Sequence, residues 1–562
     1  MAEIVLSSDQ AEDFQKTIEI TDRHPMVLQT SPAGSGKTIH VIEFLRKRNI
    51  ARAIIVCANS VQIDHWTLFK EKYNAPISMI ITYDTLRGSK TYTTNDGREM
   101  LTHGLLYKNN DESYCPTEGF MQWVEEGLLL VPDECHSIKN DRGKTAAFRS
   151  LSRYITMRSM TKPYPLNKSW TFFLSMTPFD KPEHCCNFVF TCGIITSHKL
   201  YSKDHNLPTG IIELYNYCKH FNPTITDSIW GLYDIKSNNV QELAYRLVSE
   251  VFLRLISTFT KNSQDRYKMK QSIYYSYSDI PQEAHILMKR GLDMIRAPIK
   301  MNLNEEPKFP VMDSYITQLF SHISGGVDIN TRSGVIQGTI TCQTVKTFYI
   351  VIPLIHHIFQ TVPNSKIIVF LDYKESVDII MNNLSTYSPV KITGDSECTK
   401  ERRKAIIDKF NEPNLELRLL AIISQIGSDS IELDDKHGNF PRIGLGLPDF
   451  YYSRFFQCPG RIFRRFTESN SLFFWCLSNT EEYSEESVFK SIKDKSEVME
   501  QTLQNNEIIP PIYYEKITNP HLHDISFLIK NAGMNKINRH DKDNKSLNNI
   551  VRVSEVTFRK RF

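Results

Sequence analysis

The sequence predicts an α/β fold with two tandem parallel-sheet lobes, a mainly helical insert and a basic C-terminal tail. Short apolar segments alternate with helical segments near the N-terminus, and the same alternation begins again near Thr347. Strands that alternate with helices in this way are typical of parallel sheets. The alternation is lost between the two arrays and after the second one. We therefore expect four regions, which comprise residues 1–180, 181–345, 346–480 and 481–562.

Composition limits the classes of function. With 562 residues, of which 41% are hydrophobic and 23% charged, the chain is long enough for several folded domains. The N-terminus lacks the features of a signal peptide and no apolar run reaches membrane-spanning length, so we expect an intracellular protein, cytoplasmic or nuclear, without a membrane partner. The eleven cysteines include no Cys-x-x-Cys pair, which favours free thiols over a zinc module. A net charge of +3 neither requires nor excludes a nucleic-acid partner.

A glycine-rich loop follows the first predicted strand. Residues 31–38 are Ser-Pro-Ala-Gly-Ser-Gly-Lys-Thr, between an apolar run and a segment of helical periodicity. Glycines let backbone N–H groups and the helix N-terminus face a phosphate chain, the lysine brings charge to the β- and γ-phosphates, and the threonine hydroxyl joins Mg²⁺. A chance glycine turn is the alternative. The residues expected to bind the phosphates are Gly34, Ser35, Gly36, Lys37 and Thr38.

Gln10, upstream of the loop, has two interpretations. Its amide suits a paired hydrogen bond with an adenine edge, which would select the nucleotide. Alternatively, it belongs to a helix-capping segment. The sequence alone leaves both open.

A second motif places two acids after an apolar strand. Residues 128–131 are apolar, and Asp133 and Glu134 follow Pro132. The carboxyl ends of parallel strands form the functional edge of such a sheet. Asp133 is expected to hold Mg²⁺, and Glu134 to orient and deprotonate an attacking water. A solvated acidic turn is the alternative, but the glycine loop supplies the complementary part of one reaction.

Two hydroxyl residues, Ser175 and Thr177, follow a further apolar strand at residues 171–174. Hydroxyls at such a position are candidates for linking a hydrolysis site to a moving interface. A plain exit from the strand into a turn, ended by Pro178, is the alternative.

The order of these motifs resembles a known superfamily. The glycine loop, the Asp-Glu-Cys-His box at residues 133–136 and the Ser-Met-Thr-Pro segment at residues 175–178 resemble motifs I, II and III of superfamily 2 helicases and translocases, here of the DExH type. Ser-Ile-Lys-Asn at residues 137–140 and Thr177-Pro178 look more like Swi/Snf-type double-stranded-DNA translocases and related viral ATPases than DEAD-box RNA helicases. Cys135 departs from the pattern. The resemblance implies two RecA-like lobes that hydrolyse ATP with Mg²⁺.

A further motif occurs in the second array. Residues 457–464, Gln-Cys-Pro-Gly-Arg-Ile-Phe-Arg, match the superfamily's motif VI, Gln-x-x-Gly-Arg-x-x-Arg. Arginines three residues apart share a face if the segment is helical, and their planar forks suit phosphoryl oxygens. The resemblance implies that Arg461 and Arg464 act as arginine fingers and that Gln457 and His136 sense the nucleotide. A basic surface helix is the alternative.

Residues 427–433 fall where the superfamily's motif V is expected, so Gly427 and Asp429 are predicted to couple hydrolysis to movement. Residues 433–448 are loosely similar to large-DNA-virus helicases and to the Strawberry-notch-type helicase domain. The resemblance as a whole covers roughly residues 1–180 and 346–480.

Two segments outside these motifs have open roles. Tyr274, Tyr275 and Tyr277 form either a base-stacking surface or a strand with one buried face. The tail becomes basic after Lys530 and is either a phosphate-binding segment or a solvated one.

The resemblance implies an ATP-dependent nucleic-acid helicase or translocase. DNA is the preferred track because of the Swi/Snf-like motifs, and an RNA helicase is the nearest alternative. A third hypothesis is a nucleotide-switched scaffold subunit of a viral transcription or virion complex. The expected partners are nucleic acid and a transcription or replication complex, and a viral protein of this type would lie in the host cytoplasm or the virion.

Overall fold

The computed structural model of the chain describes residues 4–31, 34–88, 91–93, 99–109, 111–140, 143–176, 178–179, 182–196, 209–221, 256–257, 271–303, 329–394, 398–424, 431–448, 452–464, 467–479, 492 and 514–532.

The chain divides into two compact units. One comprises Met1–Ser263 and Lys493–Pro510, and the other comprises Gln264–Ile492 and Pro511–Phe562. Each unit contains a parallel sheet and helices, which confirms the predicted α/β fold with two parallel-sheet lobes. The finer division after residues 180, 345 and 480 stays a prediction.

The strands of the first unit form two sheets. They are β1 (Met26–Gln29), β2 (Arg52–Cys57), β3 (Ile77–Thr82), β4 (Thr91–Thr93), β5 (Glu99–Leu101), β6 (Leu106–Lys108), β7 (Tyr114–Pro116), β8 (Leu128–Pro132), β9 (Trp170–Leu174) and β10 (Ile256–Ser257). The main sheet has the order β10-β1-β9-β8-β2-β3, and all its neighbours are parallel. Strands β4 to β7 form a separate antiparallel sheet within the polar segment after β3.

Helices follow most strands of the main sheet. They are α1 (Ser8–Thr21), α2 (Lys37–Lys47), α3 (Ser60–Tyr73), α4 (Tyr83–Arg87), α5 (Glu118–Glu126), α6 (Gly143–Thr161), α7 (Pro182–Thr191) and α8 (Thr209–Phe221), with a 3₁₀ turn at Cys135–Ile138. The side chains of β1, β8 and β9 are fully buried, as expected for central strands covered on both faces. The glycine loop, the acid pair and Ser175 follow these three adjacent strands, so the sheet order brings them to one edge.

The second unit contains a seven-stranded parallel sheet. Its strands are β11 (Gln271–Ser278), β12 (Lys366–Leu371), β13 (Val390–Ile392), β14 (Leu419–Ile423), β15 (Arg442–Gly446), β16 (Ser471–Ser478) and β17 (Tyr514–Thr518). Their order is β13-β14-β12-β15-β16-β11-β17. Its helices are α9 (Gln282–Leu303), α10 (Ile329–Lys346), α11 (Ile352–Thr361), α12 (Lys374–Asn383), α13 (Lys400–Asn411), α14 (Tyr452–Ile462) and α15 (Ile525–Lys530), and a π-helical segment, Thr347–Val351, joins α10 to α11.

The tyrosine segment is a strand. Strand β11 pairs with β16 and β17, although it lies in the region predicted to be mainly helical. Tyr274 and Tyr277 are buried, and the Tyr274 ring stacks on Phe474 with ring centroids 5.3 Å apart. The segment is therefore a strand, as one interpretation predicted, but Tyr274 and Tyr277 lie on opposite faces and both are buried, so the expectation of a single buried face is wrong. The basic end of the tail, residues 533–562, lies outside the described residues.

One apolar helical run is long enough to cross a membrane by length and composition alone, so the expectation that no apolar run reaches this length is wrong. The run is Ser333–Thr361, and 61% of its most apolar window is buried within the protein. A buried core helix has the same composition. Free cysteines among the described residues are Cys57, Cys115, Cys135, Cys192, Cys342, Cys398, Cys458 and Cys476, and all of these except Cys115 are buried.

Helices α9 and α10 cross at a pair of glycines. A Cβ atom added at Gly338 would lie 2.5 Å from the carbonyl oxygen of Gly291, and one added at Gly291 would lie 2.7 Å from Cys342 Sγ. By contrast, a Cβ atom at Gly334, one turn earlier in the same helix, would meet no atom within 4 Å. The two backbones therefore approach more closely than any side chain at the crossing would permit.

Substituting Gly338→Ala should lower the free energy of unfolding by about 1–3 kcal/mol, because overpacking at the helix crossing outweighs the better helix propensity of alanine. Gly334→Ala is the matched control and should be neutral or more stable by up to about 1 kcal/mol, because its methyl group faces open space. Urea denaturation of both variants measures the difference. Equal stabilities of the two variants would contradict the close approach.

Candidate functional site

The glycine loop joins β1 to α2 in the first unit. Gly34 and Gly36 have φ angles of +76° and +94°, a region that residues with a side chain rarely adopt. A Cβ atom at Gly36 would also lie 2.4 Å from Gln10 Nε2. The loop therefore requires glycine at position 36 for its conformation, and a side chain there would also displace the Gln10 amide. Pro32 and Ala33 lie outside the described residues.

Helix α1 supports the loop through Gln10. The Ser7 backbone N–H donates to Gln10 Oε1 at 3.1 Å, and Ser7 and Gln10 form a reciprocal capping box. At the other end of the amide, Gln10 Nε2 donates to the Ser35 carbonyl at 2.9 Å. The capping interpretation is confirmed, and the contact with adenine stays a prediction.

Asp13 lies one turn further along α1 and holds the start of the loop. Its Oδ2 accepts hydrogen bonds from Gln29 Nε2 at 2.5 Å and from the Ser31 hydroxyl at 3.3 Å. Gln29 Oε1 in turn accepts the Ser31 backbone N–H at 2.8 Å. His40 Nδ1 is 3.7 Å from the same carboxylate, and burial lowers the pKa of His40 despite that negative charge. Helix α1 therefore contacts the loop near both of its ends.

The two polar residues that open α2 already have protein partners. Lys37 Nζ donates to the Ser31 carbonyl at 2.8 Å, which holds the ammonium group across the loop. The Thr38 hydroxyl lies 3.2 Å from His65 Nε2 in α3. Both side chains are therefore ordered at the position where the resemblance requires a phosphate and a metal ion.

Asp133 lies at the end of β8 with both carboxylate oxygens hydrogen-bonded. Trp66 Nε1 donates to Oδ2 at 2.8 Å, and the Glu134 backbone N–H donates to Oδ1 at 3.0 Å. The Tyr83 hydroxyl donates to the Asp133 carbonyl at 3.0 Å. Burial, followed by repulsion from Glu134, raises the pKa of Asp133 to about 6, against the opposing effects of Trp66 and Lys37. The influence of Lys37 shows that the glycine loop and the acid pair share one electrostatic environment.

Glu134 has a left-handed backbone conformation, with φ +50° and ψ +55°. This conformation is uncommon for a residue with a side chain, and it occurs here at the turn between β8 and the following 3₁₀ segment. Its Oε2 lies 3.2 Å from His136 Nδ1, which is also 3.2 Å from the hydroxyl of the buried Ser175. The structure thus brings together three residues that the sequence singled out. Thr177 lies outside the described residues.

Motif VI lies in the second unit and differs in one respect from its prediction. Gln457 and Arg461 are buried in α14, but this helix ends at Ile462. Arg464 follows the helix, and its Nη2 donates to the Ile431 carbonyl at 3.1 Å. The helix thus ends between the two arginines, so helical spacing does not fix their relative direction, and their shared role stays a prediction. Gly427 and Asp429 lie outside the described residues.

Four residues that contact the site are not predicted from the sequence. They are Asp13, His65, Trp66 and Tyr83. Each of these residues lies in a helix, at a spacing that equally suits an ordinary core or surface residue. Their helices follow or precede strands of the main sheet, and that placement was the one available signal.

The residues present fit a nucleoside triphosphate with Mg²⁺. The hydroxyls of Thr30 and Ser35 are buried without a hydrogen-bond partner among the described residues, and the first-turn N–H groups of α2 lack intrahelical acceptors. Within the described ranges, no three His, Cys, Asp or Glu side chains converge as a metal site. Mg²⁺ in phosphate sites commonly takes one or two protein ligands together with phosphate oxygens and water, which Thr38 and Asp133 can supply.

Replacing Asp133 by asparagine should change the pH dependence of stability in the absence of nucleotide and Mg²⁺. Because the pKa of Asp133 is about 6 in the folded chain and 3.8 as its ordinary value, the folded chain binds this proton more tightly, and stability falls as pH rises between those values. Relative to the wild type, Asp133→Asn should therefore gain on the order of 1 kcal/mol between pH 4.5 and pH 7.5. Thermal unfolding across this range measures it, and parallel curves would contradict the raised pKa.

Comparisons with known proteins give a limited likeness. No protein-family model matches this chain. A protein of Acanthamoeba polyphaga mimivirus named "Putative ATP-dependent RNA helicase" is 26% identical over 174 residues. The match covers 31% of this chain and 31% of the mimivirus protein, so the chain spans about a third of the length of this relative. The chain is therefore similar, over part of its length, to a helicase-like protein of a large DNA virus.

Proposed function

We propose that the chain is a nucleic-acid-dependent ATPase that moves along its substrate as a helicase or translocase of superfamily 2. One geometric observation supports the proposal: His65 and Trp66, adjacent in α3, contact Thr38 at 3.2 Å and Asp133 at 2.8 Å, so the glycine loop with Lys37 and Thr38 lies beside the acid pair, Asp133 and Glu134. The four residues of these two motifs are the ones that phosphate binding, metal binding and water activation require. The partial likeness to a viral helicase supports the same class.

The residues of the first unit would divide the work as follows. Backbone N–H groups of residues 34–38 and the Lys37 ammonium group bind the phosphates, and Thr38 and Asp133 hold Mg²⁺. Bound Mg²⁺ neutralises the charge that develops on the phosphate oxygens. Glu134 orients the attacking water and accepts its proton, while His136, whose Nδ1 lies 3.2 Å from both Glu134 Oε2 and the Ser175 hydroxyl, positions the Glu134 carboxylate.

We further propose that the second unit contributes to hydrolysis through motif VI. Arg461 and Arg464 would stabilise the transferring phosphoryl group, and Gln457 would sense the nucleotide. Arg464 is half-buried and its Nη2 donates to the Ile431 carbonyl, which supports this role because the bond orders the guanidinium group. Residues 1–180 and 346–480 would form the two RecA-like lobes, and the residues proposed to couple them to movement are Ser175, Thr177, Gly427 and Asp429.

The proposed nucleic-acid substrate is DNA. The Swi/Snf-like form of residues 137–140 and 177–178 supports this choice. RNA is the second candidate because the mimivirus relative is named as an RNA helicase. A nucleotide-switched scaffold, without movement on nucleic acid, is a third outcome that the experiment below can reveal.

Substituting Glu134→Gln should lower the ATPase turnover about 10²–10⁴-fold and leave nucleotide binding intact, because the amide cannot accept the proton of the attacking water. Steady-state ATPase assays with no nucleic acid, single-stranded DNA, duplex DNA and RNA measure it. Glu118→Gln, at an exposed position in α5, is the matched control and should retain wild-type turnover.

Stimulation by duplex DNA that is lost in Glu134→Gln would support the DNA motor. Stimulation by RNA alone would show that the substrate is RNA and not DNA. A turnover that depends on Glu134 but responds to no nucleic acid would contradict the motor and favour the scaffold.

Replacing Arg464 by alanine should lower turnover by about 10³-fold or more with little change in nucleotide affinity, because an arginine finger acts on the transition state. Arg290→Ala, an exposed arginine in α9, is the control and should keep its basal turnover. A rise in KM without loss of kcat would show that Arg464 binds the ground state instead.

A further inference from the structure

Two consecutive side chains of α3 contact the two proposed metal ligands. His65 lies 3.2 Å from the Thr38 hydroxyl, and Trp66 donates to the Asp133 carboxylate at 2.8 Å. Thr38 lies in the first turn of α2, after the glycine loop, and Asp133 directly follows β8, so the two residues belong to different motifs. A single helix therefore bridges the glycine loop and the acid pair.

Trp66 orients the Asp133 carboxylate and leaves some of its lone pairs available. Its side chain is fully buried, so its indole N–H would lose its hydrogen bond if Asp133 turned away. A carboxylate has about four lone-pair sites, and Trp66 and the Glu134 N–H use one on each oxygen. Each oxygen of Asp133 thus keeps a site for a metal ion or its bound water.

His65 has the chemistry to orient the Thr38 hydroxyl. A hydroxyl oxygen that coordinates a cation through a lone pair still carries a proton, which needs an acceptor. A neutral imidazole whose Nε2 lacks a proton accepts it and leaves the lone pairs of the oxygen directed away from α3. The ring of Phe69 lies against His65, with centroids 4.6 Å apart, and limits rotation of the imidazole.

Helix α3 is anchored at its start, which makes it a firm support. Asn59 caps it by accepting the Gln62 backbone N–H at 3.2 Å. Gln62 Oε1 accepts the Ala58 N–H at 2.6 Å and ties the helix to the end of β2. Helix α3 follows β2, and Asp133 follows β8. Because β2 pairs with β8, the helix and the carboxylate that it contacts are attached to neighbouring strands of one sheet.

We propose that His65 and Trp66 are positioning residues that orient Thr38 and Asp133 toward the metal of a bound Mg²⁺–nucleotide. This assignment rests on the proposed function. His65 accepts the hydroxyl proton of Thr38, and Trp66 holds one edge of the Asp133 carboxylate. Both residues act through Thr38 and Asp133, so their effect is confined to nucleotide binding that requires the metal.

The test is the affinity of the full chain for ADP carrying a fluorescent N-methylanthraniloyl group, measured by polarisation with Mg²⁺ and again with EDTA. The quantity compared is the Kd in EDTA divided by the Kd in Mg²⁺. The variants are His65→Ala, His65→Gln and Trp66→Phe. Trp123→Phe is the control. This indole belongs to α5, packs against Arg52 of β2 and lies outside the site.

His65→Ala and Trp66→Phe should each lower this ratio about 2- to 10-fold, the effect of losing one hydrogen bond, with the Kd in EDTA unchanged. His65→Gln should restore the ratio, because its amide oxygen replaces Nε2 as an acceptor. Trp123→Phe should match the wild type. If Trp66→Phe does not fold, the pair at the partly buried position 65 decides the test.

Two results would overturn the assignment. A ratio that stays at the wild-type value in His65→Ala and Trp66→Phe, or an equal loss of affinity in Mg²⁺ and in EDTA, would make these residues ordinary packing side chains. A wild-type chain whose affinity does not respond to Mg²⁺ would instead contradict the proposed roles of Thr38 and Asp133, and with them the proposed function.

Discussion

A half-buried carboxylate lies at the end of β8, and the proposed nucleotide site depends on how its charge is stabilised. Asp133 receives the Trp66 indole and a backbone N–H, and Lys37 lies close enough to oppose the effect of burial. None of these partners neutralises it fully, so its pKa remains raised. A cation that enters this position would find a carboxylate with incomplete stabilisation, which favours binding of a metal ion.

Sheet order explains how residues distant in sequence meet. Strand β9 lies between β1 and β8, and consequently Ser175 reaches both the end of β1, through its N–H bond to the Gln29 carbonyl at 3.2 Å, and His136 beyond β8. Trp66 reaches Asp133 because β2 is the other neighbour of β8. The parallel arrangement therefore brings together parts of the site that lie far apart in sequence.

The sequence predicted the elements that have a local signal. The alternation of apolar and helical segments predicted both parallel sheets, and glycines at positions 34 and 36 marked the loop because a positive φ favours that residue. The pairing of Trp66 with Asp133 spans 67 residues and depends on strand order, which periodicity does not encode. Strand β11 lies in a region that the sequence predicts to be mainly helical. Its membership of the second sheet depends on β16 and β17, which lie far along the chain and leave no local signal. For Arg464, the sequence showed a motif spacing but not the end of the helix at Ile462.

The position of β17 has a consequence for synthesis of the chain. This strand, Tyr514–Thr518, pairs with β11, Gln271–Ser278, while the intervening strands of the same sheet are made between them. The seven-stranded sheet is therefore incomplete until the last of these segments leaves the ribosome. Until then β11 has an open edge, which is prone to wrong pairing. The six-stranded sheet has all its strands by Ser257 and can form during translation, so the two units should differ in their need for chaperones.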